Sequence, residues 1–308
     1  MFTHMALHLS TQRYRWGAFV MVLLLLTACG QPQAAAPMVE APDAPAEAVV
    51  AEPMQVMVSI LPQKYFVERV GGDRVQVSVM VPPGSSPATY EPTPAQMTAL
   101  SQAQAYFSIG VPFEKAWLER IQAANATMQR VDTTAGIERM PMGASSENLD
   151  PHVWLSPTLV KTQAEIIAAT LSDLDPSAAP MYASRLADFS ADIDALDTSI
   201  RTTLDGVSQR KFMVFHPAWG YFARDYDLEQ IPVEVGGQEP SAAELAALID
   251  RAQTEGITVI FAQPEFSTRA AETIASQIGG EVMLISPLNP DWLGNLQMVA
   301  DTFARVLE

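Results

Sequence analysis

Residues 180–210 read PMYASRLADFSADIDALDTSIRTTLDGVSQR, and the spacing of their apolar side chains decides the fold. Tyr182, Leu186, Phe189, Ile193, Leu196, Ile200 and Leu204 recur every three or four residues, which is one face of an α-helix. Over residues 180–208 that helix is ~40 Å long at 1.5 Å per residue, longer than an ordinary crossover helix. Before it, β-branched runs mark strands at Gln55–Ile60, Val75–Val81, Ala105–Ile109 and Met128–Val131. After it, the same signal marks Lys211–Phe215, Gln230–Val235, Thr258–Ala262 and Glu281–Ile285. Helical patterns separate the runs, so the chain reads as parallel α/β layers with two sets of four strands. A helix of this length between two such halves suggests a rigid spine joining two lobes. An ordinary surface helix on a single sheet has the same pattern.

Other helix ends are written in local chemistry. Ser241 and Glu244 form a capping box before LAALIDRAQTE, with Gly256 as a stop, and Ser267 is placed to cap a helix that ends at Gly279. The Pro- and Gly-rich stretch PGSSPATYEPTP, residues 83–94, follows a strand directly and reads as a constrained loop.

Toward the N-terminus the pattern changes. Arg13 and Arg15 precede an apolar run from Ala18 to Leu26, and Leu26, Thr27, Ala28 and Cys29 follow it, as in a lipoprotein signal cleaved before the cysteine. Residues 1–28 are therefore expected to be a signal peptide and Cys29, the single cysteine, a lipidation site anchoring the protein to a membrane. An apolar run that short does not cross a bilayer, which takes ~20 residues. Residues 29–53 are rich in Ala, Pro and Glu with no aromatic residue, the composition of a disordered tether. The folded part then divides into lobes at 54–179 and 209–308 about the linking helix at 180–208.

The formal net charge is −17, and losing the two leader arginines takes it to −19. That field repels nucleic acid and anionic lipid and mildly favours cations. No G-x-S-x-G elbow, phosphate-binding glycine loop or cysteine nucleophile is present, so the chain does not read as an enzyme. In open α/β sheets ligands bind beyond the carboxyl ends of strands. Those positions hold the Ala88 loop, His216 in FHPAWGYF, Gln263 and Glu265 in FAQPEFS, and Ser286 in ISPLNPDW. His152 lies between two prolines in DPHVWLSP. Once His4 and His8 leave with the signal, His152 and His216 are the remaining histidines. As a pair they are candidate metal ligands, but zinc takes about four N, S or O ligands and manganese more, mostly oxygen.

Several segments together resemble one family: the lipoprotein solute-binding proteins of bacterial zinc and manganese ABC importers. They are SILPQKYFVERVGGDRVQVSVMVPPGSSPATYEPTPAQM, IGVPFEKAWLERI, DPHVWLSP, FMVFHPAWGYFARDYDLEQI, GGQEPSAAEL and FAQPEFSTRAAETIA, in order around the long helix. The resemblance implies two Rossmann-like lobes, each with a mostly parallel four-stranded sheet, joined by a rigid backbone helix. It implies one metal in the cleft between them, handed to a membrane permease driven by a cytoplasmic ATPase. By position, His152 and His216 match metal-ligand histidines, and a histidine at 216 leans toward zinc over manganese. Ala88 stands where the family loop usually carries a histidine, and Ser286 where an aspartate commonly precedes Pro-Leu. The His-rich insert of many zinc members is absent, residues 136–150 containing no histidine.

Three accounts follow. In the first, His152 and His216 bind a divalent metal, joined by water or by oxygen ligands such as Glu91, Gln263 or Glu265. In the second, the same architecture carries another small ligand such as a metal chelate, with Tyr90, Trp154 and Trp219 as apolar walls. In the third, the protein is a surface lipoprotein with no ligand.

Overall fold

The computed structural model describes residues 52–142 and 145–307. The expected signal peptide, Cys29 and nearly all of the tether lie outside the described residues. The elements run β1 (Met54–Val58), α1 (Leu61–Gly71), β2 (Val75–Val79), α2 (Pro94–Leu100), β3 (Ala105–Ser108), α3 (Pro112–Ala124) and β4 (Gln129–Asp132). A short antiparallel pair, β5 (Pro141–Met142) and β6 (Ser145–Leu149), leads into α4 (Pro157–Leu174) and α5 (Ala179–Leu204). The second half follows as β7 (Lys211–Val214), α6 (Gly220–Asp225), β8 (Glu229–Pro232), α7 (Ala242–Thr254), β9 (Val259–Ala262), α8 (Arg269–Ile278), β10 (Glu281–Leu284) and α9 (Trp292–Val306).

Two four-stranded sheets form, in the orders β2-β1-β3-β4 and β10-β9-β7-β8, with every pairing parallel. Counted within each half, both have the order second, first, third, fourth. Parallel strands need crossovers long enough to carry the chain back, and each helix between strands is that crossover. The eight strands fall where the sequence places them, but most stop one to three residues early. At β1 the reason is a side chain: Gln63 Oε1 accepts the backbone N–H of Ser59 at 3.0 Å and of Ile60 at 3.3 Å, which turns the chain into α1. Past β8 the chain keeps two more bonds, from Val233 N–H to Val214 O at 2.8 Å and from Glu234 N–H to Phe215 O at 3.0 Å, and then turns away at Gly236 and Gly237, both at positive φ.

The long helix spans 26 residues. Six of its seven predicted apolar positions are buried, Leu186 being half-buried. It is covered along its length by α1, α4 and α9, so the spine lies inside a helical layer. One hydrophobic core runs through this layer from the first sheet to one face of the second. A smaller core lies between the other face of the second sheet and α7 and α8. Each fully buried Leu, Ile or Phe adds roughly 1.5–3 kcal/mol, so this face of the helix is a large part of what holds the two sheets together.

The Ser241–Glu244 capping box forms, and Gly279 ends α8 in the left-handed region at φ 68°. Ser267 is displaced from its expected role: Thr268 is the N-cap of α8, and the Ser267 hydroxyl only accepts a 3.4 Å bond from Arg269 N–H. The β5–β6 pair was not legible, since two residues of strand give no periodicity.

Candidate metal centre

Beyond the carboxyl ends of both sheets lies a cavity of about 340 Å³. His152 and His216 reach it from opposite halves of the sequence, and their Nε2 atoms are 3.3 Å apart. Each imidazole is held from behind by a carboxylate. Asp150 Oδ1 lies 2.7 Å from His152 Nδ1 and also accepts the His152 backbone N–H at 2.9 Å. Glu234 Oε2 lies 2.6 Å from His216 Nδ1. A carboxylate can only accept, so each Nδ1 carries a proton and the two Nε2 atoms are left facing each other.

Two imidazole nitrogens at this distance repel unless a cation, a shared proton or a metal ion, sits between them. A tetrahedral ion with Zn–N bonds of about 2.0–2.1 Å sets its nitrogen ligands roughly 3.3–3.4 Å apart, which is the separation here. Carboxylates behind the ring also fix its orientation and raise its basicity toward a metal. His216 is held below the ordinary histidine range, burial being the largest cause, with Glu234 pulling the other way. Its lone pair is therefore free of a proton at neutral pH.

The segment carrying His152 is stitched across the molecule. Tyr221 in α6 donates to Asp150 O and accepts the Met140 N–H, both at 3.0 Å. Trp154 Nε1 donates to Pro287 O and Trp292 Nε1 donates to Trp154 O, each at 2.7 Å. Gly220 opens α6 against this segment, where a Cβ would stand 3.0 Å from Asp150 Oδ2. His216 follows β7 directly. Gln263, at the end of β9, takes the His216 N–H on Oε1 at 3.1 Å and gives Nε2 to the His216 carbonyl at 2.8 Å. The His216 ring stacks on Phe266 with centroids 4.8 Å apart.

Of the other predicted residues, Glu265 lines the cavity. Its Oε1 accepts from Ser286 Oγ at 3.3 Å, its buried Oε2 has no partner among the described residues, and burial pushes its carboxyl up. Gln263 is committed to the His216 backbone. Glu91 is exposed and lies outside the cavity lining, whereas Ala88 is part of it. Trp154 reaches the cavity; Trp219 is in the core, and Tyr90 packs on Phe113 with its hydroxyl on Gln96. Sequence reasoning missed Asp150 and Glu234. The D-P-H tripeptide was a signal for the first, and nothing local pointed to the second. Among the described residues, no group of three or more His, Cys, Asp or Glu side chains gathers to hold a metal ion.

Residues 56–306 match the model of a family described as zinc-uptake complex component A, periplasmic. The chain belongs to this family. It is 28% identical over 255 residues to the high-affinity zinc uptake system protein ZnuA of Bacillus subtilis, covering 76% of this chain and 78% of that protein. A crystal structure of ZnuA at 50% identity superposes with a TM-score of 0.81 over 83% of this chain and all of that one. A ZnuA deletion mutant with zinc bound, also 50% identical, gives 0.80 over 83% of this chain and 98% of its own. No helix among the described residues is long and apolar enough to cross a membrane.

Proposed function

We propose that this chain is the extracytoplasmic solute-binding component of an ABC importer, which captures a divalent metal ion and delivers it to a membrane permease coupled to an ATPase. Zinc is favoured, with manganese second. The observation that carries this reading is the imidazole pair: two Nε2 atoms 3.3 Å apart, each ring backed by a carboxylate on Nδ1. Zinc is the cargo, and His152 and His216 are its protein ligands. Glu265, with its unpartnered carboxylate oxygen, is a neighbour that can join them. The lobes at 54–179 and 209–308 then present the site from either side of the linking helix, and Cys29 carries the lipid anchor. The role is carriage, with no chemical conversion of the cargo.

The test is calorimetry with purified, tag-free protein stripped of metal, alongside elemental analysis of the protein as isolated. Zinc is expected to bind at one ion per chain, and His152→Ala and His216→Ala each to weaken it more than tenfold, over about 1.4 kcal/mol. A protein that binds neither zinc nor manganese and carries none sinks the reading. An unchanged affinity in either variant removes that histidine from the site.

A further inference from the structure

The coordination that the protein supplies is incomplete. Two imidazole nitrogens converge, and no third His, Cys, Asp or Glu completes a cluster with them among the described residues. Zinc takes about four ligands, so even with Glu265 joining the pair at least one position is left for a donor from outside the protein. The space beside them is large for bare water: about 340 Å³ falls within the range of sites for small organic molecules. Ala88 and Pro87 form one wall, and Trp154, Phe266 and Leu288 supply apolar surface.

The same cavity is lined by two cations, Lys115 and Arg139, neither of which is ion-paired among the described residues. Arg139 is set in place. Its Nη2 donates to Ile109 O at 2.9 Å and to Thr134 Oγ1 at 2.6 Å, and Asp132 holds that threonine in turn at 2.7 Å. Gly110, at φ 83°, makes room for the guanidinium: a Cβ there would stand 2.3 Å from both Nη1 and Nη2. A fixed guanidinium attracts a carboxylate by charge-assisted N–H bonds, and with both Nη2 hydrogens used, Nη1 and Nε remain as its donors. Beside a bare divalent cation it only repels.

We infer that the cargo is taken as a complex of the metal with a small carboxylate chelator, the metal on His152 and His216 and the chelator's free carboxylate on Arg139 in the space beside Ala88. This rests on the metal reading above and names the form in which the metal arrives. The chelator supplies the missing ligands, its negative charge offsets both the ion and the guanidinium, and its carbon skeleton covers the apolar wall. Lys115, exposed at the edge, adds attraction for an anion.

The test is calorimetry on the metal-free full chain with zinc alone, with citrate, oxalate or L-histidine alone, and with each preformed zinc complex. If only free zinc binds, each chelator weakens apparent affinity by competing for the ion in proportion to its own affinity. The inference expects at least one complex to bind tenfold or more tighter than that competition allows, and zinc K-edge absorption of the bound complex to keep the chelator's donors. In Arg139→Gln the preference for the complex over zinc alone is expected to fall at least tenfold. Ala88→Leu fills the same space from an exposed loop and is expected to lower that preference as well, so the test survives if Arg139→Gln folds poorly. Zinc alone binding while all three complexes merely follow competition overturns the inference and leaves the metal reading standing. Neither zinc nor any complex binding overturns both.

Discussion

The two sheets share one topology yet spend their strand ends differently. At the end of β1, Ser59 donates to Glu114 and bonds Tyr106 at 2.6 Å, while Gln63 reaches Phe107 O and Thr133 at 3.2 Å. Glu114 also takes the N–H groups of Ile109 and Gly110. All of these side chains are buried, so the polar groups of the first half are consumed in holding their own loops. At the end of β7, the neighbouring glutamine holds only the backbone of His216 and leaves the imidazole facing the cavity. The first half makes its contribution from elsewhere, through the 150–156 segment, and that segment is pinned by Tyr221, Trp292 and Pro287 of the second half. Topology locates a site beyond strand ends; which groups remain uncommitted there decides what it binds.

The largest expected effect breaks the comparison on its structural side. Glu114→Ala takes the acceptor from the buried Ile109 N–H and the half-buried Gly110 N–H, leaves Ser59 with Tyr106 alone, and is expected to cost roughly 3 kcal/mol in urea unfolding. Zinc stoichiometry of the folded protein is expected to stay at one. A variant that keeps its stability and loses zinc would show that the first half's network belongs to the site. Next comes Glu234→Gln, which keeps an acceptor on His216 Nδ1 but removes its charge. Zinc affinity is expected to drop 10–100-fold, the usual cost of losing such a carboxylate, with little change in unfolding of the metal-free protein. Equal losses in both measurements would make Glu234 a structural residue like Glu114.

The smallest effect is in pH dependence. His216 is depressed below its ordinary value of 6.5 and is neutral in the fold, so on acidification the unfolded chain takes up that proton first. Stability of the metal-free protein falls as pH drops from 6.5 toward the folded value. Glu114 and Glu265 act with the opposite sign: burial raises both above 4.5, so the fold gains from their protonation as pH falls. The difference between wild type and His216→Gln, unfolded in urea at pH 7.5 and 5.5, isolates the histidine. The wild type is expected to lose more stability than the variant over that interval. Equal losses would mean that His216 is not held neutral.

The long helix and the eight strands were legible because periodicity survives in every element of more than a few residues. The position of His216 was legible for the same reason, since a strand end can be counted. Glu234 was not: it lies 18 residues from His216 and meets it only because β8 pairs with β7 in register. Arg139 escaped notice because its place depends on Gly110 and Thr134, brought together by strand pairing. Glu91 drew attention through its neighbours in the loop, but an exposed rim position is a property of the folded chain that spacing does not carry.

The linked bonds of Trp292 to Trp154 and of Trp154 to Pro287 have a mechanical meaning. They tie the segment two residues beyond His152 to the start of α9 and to the loop before it, so the floor of the cavity is cross-linked between the two halves. The Ala88 lip, by contrast, is exposed, and the bonds of residues 86–88 run within the loop and to Phe113, all in the first half. The imidazole pair is thus braced from both halves, while the lip above it is held from one.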